Sequence, residues 1–384
     1  MTTLDVRGPA ALAASPADAP GPPPLTWVRE LQGLPVGPPQ RRRSIAAMTL
    51  EDRIAEVGSL LAAMAFAWVL CFRLLPWGTV LAYALTTFVL FLTFTTVITM
   101  VTNRGPMVAD RLMKALITGG GLVVGVALLS TIVFVFVRGW GAISHVNMWT
   151  QDMVGVGPRD PLDVGGVAHA MLGTFIEITI AVAVTVPLGF GTAVFLTEVG
   201  GAFAHVVRTV VEAMTALPSI VAGLFIYTTL IVWLGVPSSG LAAAAALSVM
   251  MLPIIARAAD VVLRVIPSGL REAGLALGAS RWRTVWYVVL PTARPGLATA
   301  LILGVARGVG ETSPVLLTSG AASFFVANPV GGVMNSLPLF VFNAVRSGEP
   351  QYIERGFGAA FVLLTLVLTL FVVARRLARQ RTGR

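Results

Sequence analysis

Residues 271–291 read REAGLALGASRWRTVWYVVLP, a stretch that mixes arginine with leucine and tryptophan between two long apolar runs. On its own, this composition favours an amphipathic helix that lies on a membrane surface. The runs on either side, at about residues 240–263 and 292–318, are each long enough to cross a bilayer, which needs about 20 apolar residues. The stretch is therefore expected to be a short loop between two transmembrane helices.

The overall composition agrees with a membrane protein. Of the 384 residues, 56% are hydrophobic and 12% are charged, whereas soluble domains average about 25% charged residues. A soluble core of this size could not bury so much apolar surface, so the sequence predicts an all-α polytopic membrane protein. The net charge of +9 does not indicate nucleic-acid binding, because the basic residues lie at the ends of apolar runs and there indicate orientation.

Thiol, metal and nucleotide chemistry have little support in the sequence. The single cysteine, Cys71, lies inside an apolar run, and the three histidines share no ligand spacing. A P-loop needs a lysine followed by Ser or Thr, but the single lysine, Lys114, precedes Ala115. We therefore expect no cofactor on this chain and no ATP hydrolysis by the chain itself. A membrane-embedded enzyme would need a nucleophile–base or metal set within the spans, and none is visible.

Eight apolar segments predict eight transmembrane helices. They lie at about residues 54–75, 77–101, 115–138, 168–198, 209–235, 240–263, 292–318 and 356–375. A cytoplasmic N-terminus puts the arginine-rich loops in the cytoplasm, as the positive-inside rule requires, and the C-terminus is then cytoplasmic too. Residues 319–342 are also apolar but contain Pro329, Pro338 and a Gly-Gly pair, which favours an external half-helix or re-entrant segment over a ninth span.

Residues 271–291 resemble the EAA loop of ABC importer permeases, which reads Glu-Ala-Ala, three residues, Gly, nine residues, a β-branched apolar residue, one residue and Leu-Pro. Six positions agree: Glu272, Ala273, Gly278, Val288, Leu290 and Pro291. Gly274 departs from the family's third Ala. Gly278 is expected to let the chain bend after a short helix, and Pro291 to begin the next span.

The resemblance implies a coupling role for this loop. In the family it forms a short helix that docks into a groove on an ATPase subunit. It therefore implies that Arg271, Glu272, Ala273 and Gly278 couple this chain to a separate ATPase dimer, which carries ATP and Mg.

Residues 304–314, GVARGVGETSP, place Arg307 and Glu311 in the middle of the predicted 292–318 span. Their spacing of four puts them on one helix face. An arginine at a span centre costs about 2.5–3.5 kcal/mol on translocon scales, so the two are expected to face the protein interior or a wet pathway. One alternative is an ion pair that only locks helices together. The other is a substrate site.

Other charged residues within apolar runs leave alternatives open. Arg257 lies about six residues from a span end, where it either snorkels to the interface or joins a pathway. Glu177 either pairs across helices or lines a cavity. Glu212 follows Arg208 by four residues, which favours a local ion pair.

ARGVGETSP resembles the ARxxGETxP stretch of the phosphate permeases PstA and PstC, and ALPSIVAGLF at 216–225 and LPIIAR at 252–257 resemble the same group. The short external loops are more similar to PstA. The resemblance implies a permease subunit of an ATP-driven phosphate importer in a bacterial plasma membrane. The implied pathway residues are Arg307, Glu311, Arg257 and Thr312.

The same resemblance implies the partners and the domain plan. The partners would be a PstC-like permease, a PstB-like ATPase dimer and an extracytoplasmic PstS-like phosphate-binding protein. The expected parts are a disordered cytosolic tail, an accessory helix pair, a permease core and a basic tail, at residues 1–50, 51–105, 110–376 and 377–384. The alternatives are a permease for molybdate or sulfate, a passive channel, and a non-transporting membrane scaffold.

Overall fold

The computed structural model describes residues 50–75, 78–102 and 105–378, and none of these lies in a β-strand. The predicted all-α class is therefore confirmed for the described part of the chain. Most of the predicted disordered tail and most of the predicted basic tail lie outside the described residues.

Fourteen α-helices make up the described chain. They are α1 Leu50–Val69, α2 Val80–Thr102, α3 Gly105–Ile143, α4 Asn147–Thr150, α5 Ala168–Val194, α6 Ala202–Thr215, α7 Ser219–Ile226, α8 Gly240–Val265, α9 Ser268–Ala276, α10 Arg281–Thr284, α11 Leu290–Val309, α12 Ser313–Thr318, α13 Leu337–Arg346 and α14 Pro350–Ala378. Four π-helical segments extend or join them: Leu70–Leu74, Phe195–Val199, Tyr227–Trp233 and Val285–Val289.

Within the described ranges, seven helices are long and apolar enough to cross a membrane. They are Arg53–Leu74, Val80–Val101, Met107–Ile143, Ala168–Val199, Gly240–Val265, Arg281–Val309 and Pro350–Arg376. An eighth span is possible if the bent pair Ala202–Thr215 and Ser219–Trp233 counts as one. This agrees with the predicted number of eight.

The predicted span at 209–235 is sharply bent in the structure. Helix α6 ends at Thr215, α7 begins at Ser219, and their axes differ by 106°. Pro218 lies at the break with an extended backbone (ψ 139°). Proline cannot donate a backbone hydrogen bond and disfavours the helical conformation of the residue before it, here Leu217, which favours a helix break at this point.

The chain divides into two compact units, Met1–Gly121 and Leu122–Arg384. In the first, α1 packs against α2. Small residues recur every four positions on the buried side of α1 and its π-helical extension: Ser59, Ala63, Ala67 and Cys71. Small side chains at this spacing let two helices approach closely.

In the second unit, α8 is the central helix and packs against both α5 and α11. Gly304 and Gly308 of α11 face Ile255 and Met251 of α8, so closely that a Cβ at either glycine would collide with those side chains. This Gly-x-x-x-Gly spacing brings α11 against α8 and thereby fixes the position of Arg307, which lies between the two glycines in the sequence.

The predicted helix at 292–318 is interrupted. Helix α11 ends at Val309, Gly310 follows as its C-cap, and α12 begins at Ser313 with Pro314 in its first turn. Arg307 therefore lies in the last helical turn instead of mid-span, and Glu311 lies in the break.

The stretch 319–342 contains no crossing helix, in agreement with the sequence prediction. It is irregular from Gly320 to Ser336 and then enters the ten-residue helix α13. Ten residues rise about 15 Å, which is about half the hydrocarbon thickness of a bilayer.

Candidate functional site

Arg307 and Glu311 form an ion pair, with 2.9 Å between Arg307 Nε and Glu311 Oε1. The two side chains differ in exposure: the Glu311 side chain is 9% exposed and the Arg307 side chain 58% exposed. The carboxylate is therefore held in the protein, while much of the guanidinium stays accessible. The predicted contact at a spacing of four is confirmed even though the helix ends between the two residues.

Glu311 lines a small cavity together with Glu177 of α5. Glu177 is almost fully buried, and its Oε1 lies 2.7 Å from Ser319 Oγ, just after α12. Glu177 therefore contacts a second element, the segment just after α12, and also lines a cavity. Sequence reasoning missed Ser319, because it is 142 residues away from Glu177 and shares no motif with it.

Arg257 lies elsewhere in the same unit. Its Nη1 is 2.9 Å from Glu212 Oε1 on α6, and both side chains are about half exposed. The expected local pair between Glu212 and Arg208 is therefore wrong, because the side chain of Glu212 reaches across to α8 instead. Arg257 and Thr312 are not among the described residues that line the Glu177–Glu311 cavity.

The coupling stretch forms the short helix α9, a turn at Gly278, and a return into the long helix that begins at Arg281. Gly278 has a φ of +79°, a left-handed conformation that favours glycine, so the predicted bend is confirmed. Glu272 and Ala273 are exposed on α9. They are available to a partner surface.

Gly274 lies on the buried side of α9. A Cβ at this position would come within 2.9 Å of Thr284 Cγ2 and 3.0 Å of Thr284 Oγ1. The departure from the family's third Ala therefore has a local packing reason: α9 lies against Thr284 of α10.

Arg271 points toward the body of the protein, unlike Glu272. Its guanidinium donates to Glu198 Oε1 (3.0 Å), to the Ile266 carbonyl (2.9 Å) and to the Leu263 carbonyl (3.0 Å). The last two are carbonyls at the C-terminal end of α8, where a cation is favourable. Sequence reasoning grouped Arg271 with the docking residues, and the structure gives it an internal set of partners.

Pro291 lies in the first turn of α11, as expected, but the long apolar helix does not begin there. It begins ten residues earlier, at Arg281, where Ser280 Oγ accepts from the backbone N–H of Arg283. The π-helical segment Val285–Val289 and Leu290 precede Pro291. Wider turns of this kind accommodate a proline that cannot donate to the preceding turn, so the helix passes through it.

A second cavity, of about 310 Å³, lies between α5, α11 and α14 and is lined almost entirely by apolar side chains. It offers an oxyanion no charged partner. Among the described residues, no cluster of three or more His, Cys, Asp or Glu side chains is arranged to hold a metal ion.

The chain is similar to several known proteins. Residues 185–382 match the family model described as binding-protein-dependent transport system inner membrane component. The chain is 39% identical over 241 residues to the phosphate transport system permease protein PstA 1 of Mycobacterium tuberculosis (strain CDC 1551 / Oshkosh), covering 62% of this chain and 79% of that protein. It is 38% identical over 257 residues to PstA of Mycobacterium leprae (strain TN), covering 66% and 83%. A solved inward-facing MetNI methionine ABC transporter chain aligns with a TM-score of 0.43 at 21% identity, covering 66% of this chain and 99% of that one.

Proposed function

Because this chain belongs to the family of binding-protein-dependent transport system inner membrane components, we propose that it is the permease subunit of an ATP-driven phosphate importer. The substrate assignment is supported by the relatives at 38–39% identity, which are phosphate permeases. The chain forms half of a translocation pathway in a bacterial plasma membrane. A homologous PstC-like permease supplies the other half.

The Arg307–Glu311 pair carries the proposal for the pathway. The accessible guanidinium of Arg307 can give two parallel hydrogen bonds to two oxygens of one phosphate and stays charged at every physiological pH. The buried carboxylate of Glu311 can accept a hydrogen bond from a phosphate O–H, which phosphate keeps near neutral pH and sulfate lacks. Arg307 thus attracts the anion, and Glu311 selects for a protonated one.

The exposed residues Glu272 and Ala273 on α9 support a docking site for a PstB-like ATPase dimer, which binds ATP and Mg. A PstS-like binding protein delivers phosphate on the opposite side. Closure of the ATPase pair moves α9 and switches the pathway between inward- and outward-facing states, a rigid-body transition between two arrangements. Both termini lie in the cytoplasm in this assignment.

Uptake of labelled phosphate by cells that lack this chain tests the pathway. The cells are complemented with wild type, Arg307→Gln, or the control Arg346→Gln, which changes an exposed arginine outside the pathway. Membrane level and complex assembly are measured for each. We expect Arg307→Gln to assemble but to lower uptake by at least about tenfold, which is about 1.4 kcal/mol of lost transition-state stabilisation. Equal uptake by all three would make the ion pair a structural lock.

Glu311→Gln tests the selection for a protonated anion. Wild-type uptake of phosphate is expected to resist excess sulfate, and Glu311→Gln is expected to become sensitive to it, because the amide can donate a hydrogen bond to an oxygen that carries no proton. Inhibition curves with sulfate and with molybdate provide the measurement. If sulfate already competes equally in the wild type, Glu311 does not discriminate between the anions.

A further inference from the structure

Glu177 is a buried carboxylic acid in an apolar helix. It lies in α5, it is 1% exposed, and its one hydrogen-bond partner among the described residues is Ser319 Oγ. The described cations include none within ion-pair distance of its carboxylate. A buried carboxylate without a cation is costly, so such groups are paired or neutral.

The cavity that Glu177 shares with Glu311 is short of one positive charge. Two carboxylates line it, and Arg307 is engaged with Glu311. The elements packed against α5 present no further charged side chain to the cavity among the described residues: α8 contributes Leu247, α12 contributes Val315, and the start of α13 contributes Ser336 and Pro338. One positive charge bound to Glu177 would make the total charge of Glu177, Glu311 and Arg307 zero.

The hydrogen bonds of Ser319 indicate where that charge is. Ser319 Oγ lies 2.7 Å from Glu177 Oε1 and 2.8 Å from the Met334 carbonyl oxygen. A hydroxyl has one proton to donate, and a carbonyl can only accept. Unless the single hydroxyl hydrogen is shared between two acceptors, both contacts are hydrogen bonds only if Ser319 donates to Met334 and Glu177 donates to Ser319. That arrangement requires a proton on Glu177.

A second observation points to a molecule in the cavity. Ser336 lines the same cavity, is 2% exposed, and its Oγ has no hydrogen-bond partner among the described residues. Buried polar groups are nearly always satisfied, by the protein or by ordered water. The cavity is large enough for about one water molecule, which would have the hydroxyl and the carboxyl groups as partners.

We propose that the cavity is a proton-binding site, in which neutral Glu177 donates to Ser319 and one water links Ser336 to the carboxyl groups. The inference rests on the proposed function for its consequence in transport. With Glu177 neutral, Glu311 is the one negative charge of the cavity among the described residues, and the incoming anion meets the balanced Arg307–Glu311 pair. Loss of the proton adds a negative charge beside the pathway and opposes the anion. Glu177 is thus a specificity-determining residue that acts through the charge of the cavity.

Infrared spectroscopy of the purified, assembled importer at neutral pH tests the proton directly. We expect the carbonyl stretching band of a protonated carboxylic acid, its loss in Glu177→Gln, and its persistence in the control Asp163→Asn, which changes an exposed carboxylate outside the proposed pathway and docking site. A wild-type spectrum without the band, or a band that survives in Glu177→Gln, overturns the proposal. So does a carboxylate band that shifts when Na⁺ is added, since the missing charge is then a metal cation. None of these results depends on phosphate movement, so a failure of the proposed function would leave the band unchanged.

Phosphate uptake at increasing pH tests the consequence. The ratio of Glu177→Gln to wild-type uptake cancels the titration of phosphate itself. We expect the two chains to transport alike at neutral pH and the ratio to rise at least about tenfold toward alkaline pH, because an added unit charge a few ångströms away repels the anion by that order. A ratio that stays constant, or an assembled Glu177→Gln that transports at no pH, overturns the charge-setting role.

Discussion

At position 274 the space left for a side chain is limited by Thr284, ten residues further along the chain. The hydrogen at this position lies against Thr284, and a methyl group would lie within 2.9 Å of the Thr284 Cγ2 atom. In the EAA motif an alanine occupies this position. The pair Gly274 and Thr284 therefore forms one packing unit, in which the larger threonine is accommodated by the smaller glycine.

We predict that Gly274→Ala destabilises the packing of α9 on α10 by about 1–3 kcal/mol, the usual cost of overpacking. Thr284→Ala in the same chain should restore most of the loss, because it removes both atoms that the new methyl would strike. Thermal unfolding of the purified complex measures the effect.

Gly269→Ala is the matched control for this prediction, since it lies in the same helix and its Cβ would meet nothing within 4 Å. It is expected to be neutral or to stabilise by up to about 1 kcal/mol through helix propensity. Similar melting temperatures for Gly274→Ala and Gly269→Ala would show that the backbone yields and that the close contact costs nothing.

The candidate site was predictable only where its contacts are local. The pair Arg307 and Glu311 follows from a spacing of four. The contacts of Glu177 with Ser319 and of Arg257 with Glu212 span 142 and 45 residues. No periodicity reports such distant pairings, because they depend on which helices become neighbours in the folded chain.

At the level of helices, the apolar runs predicted the number of spans but not their breaks. Pro218 stops a helix, whereas Pro291 lies inside one, behind a π-helical segment. The same residue type therefore has opposite outcomes. Pro187 and Pro253 also lie inside helices, α5 and α8, so a proline in an apolar run does not by itself predict where a helix breaks.

Arg271 connects three elements: α9, the C-terminal end of α8 and the π-helical segment after α5. Helix α5 carries Glu177, and α8 supports α11, which carries Arg307. Under the proposed function, a displacement of α9 by an ATPase would be transmitted through this guanidinium to the helices that carry the proposed pathway residues. Arg271 would then act as a positioning residue.

We predict that Arg271→Gln lowers phosphate uptake by at least about tenfold, since each charge-assisted hydrogen bond contributes about 1.5–3 kcal/mol. ATP hydrolysis by the assembled complex should change less, so that more ATP is hydrolysed for each phosphate transported. Phosphate uptake by Arg271→Lys should lie between that of the wild type and that of Arg271→Gln, because a lysine keeps the charge but cannot reproduce the planar set of hydrogen bonds. Parallel assays of uptake and hydrolysis in vesicles provide the ratio.

A different result would assign Arg271 to the docking surface. In that case Arg271→Gln would reduce binding of the ATPase subunit, and uptake and hydrolysis would fall together. Glu198→Gln separates the two roles, because it removes an internal partner of Arg271 and leaves the exposed face of α9 unchanged. If Arg271 acts through its internal partners, Glu198→Gln should also increase the number of ATP molecules hydrolysed for each phosphate transported.

For the whole molecule, the distribution of charge predicts the orientation in the membrane. The stretch 139–167 contains one arginine, Arg159, and three aspartates, whereas the stretch 268–284 contains three arginines. Since basic loops stay in the cytoplasm, 139–167 should face outward and 268–284 inward. An even number of crossings from α1 to α14 then puts both ends of the described chain on the cytoplasmic side, which requires the bent pair α6–α7 to count as a crossing.

Single cysteines can establish this orientation, because the chain has one native cysteine, Cys71, and it is buried. In a Cys71→Ser background we predict that Arg159→Cys reacts with a membrane-impermeant maleimide in intact cells and that Leu277→Cys reacts only after permeabilisation. Both positions are open in this chain: the Arg159 side chain is 83% exposed and Leu277 is 89% exposed. Loss of the exposed Arg159 pair with Glu349 should cost at most about 1 kcal/mol. Labelling of Leu277→Cys in intact cells would show that the chain has the opposite orientation in the membrane. It would place α9 outside, where no ATPase could reach it, and would remove the coupling role from the EAA-like stretch.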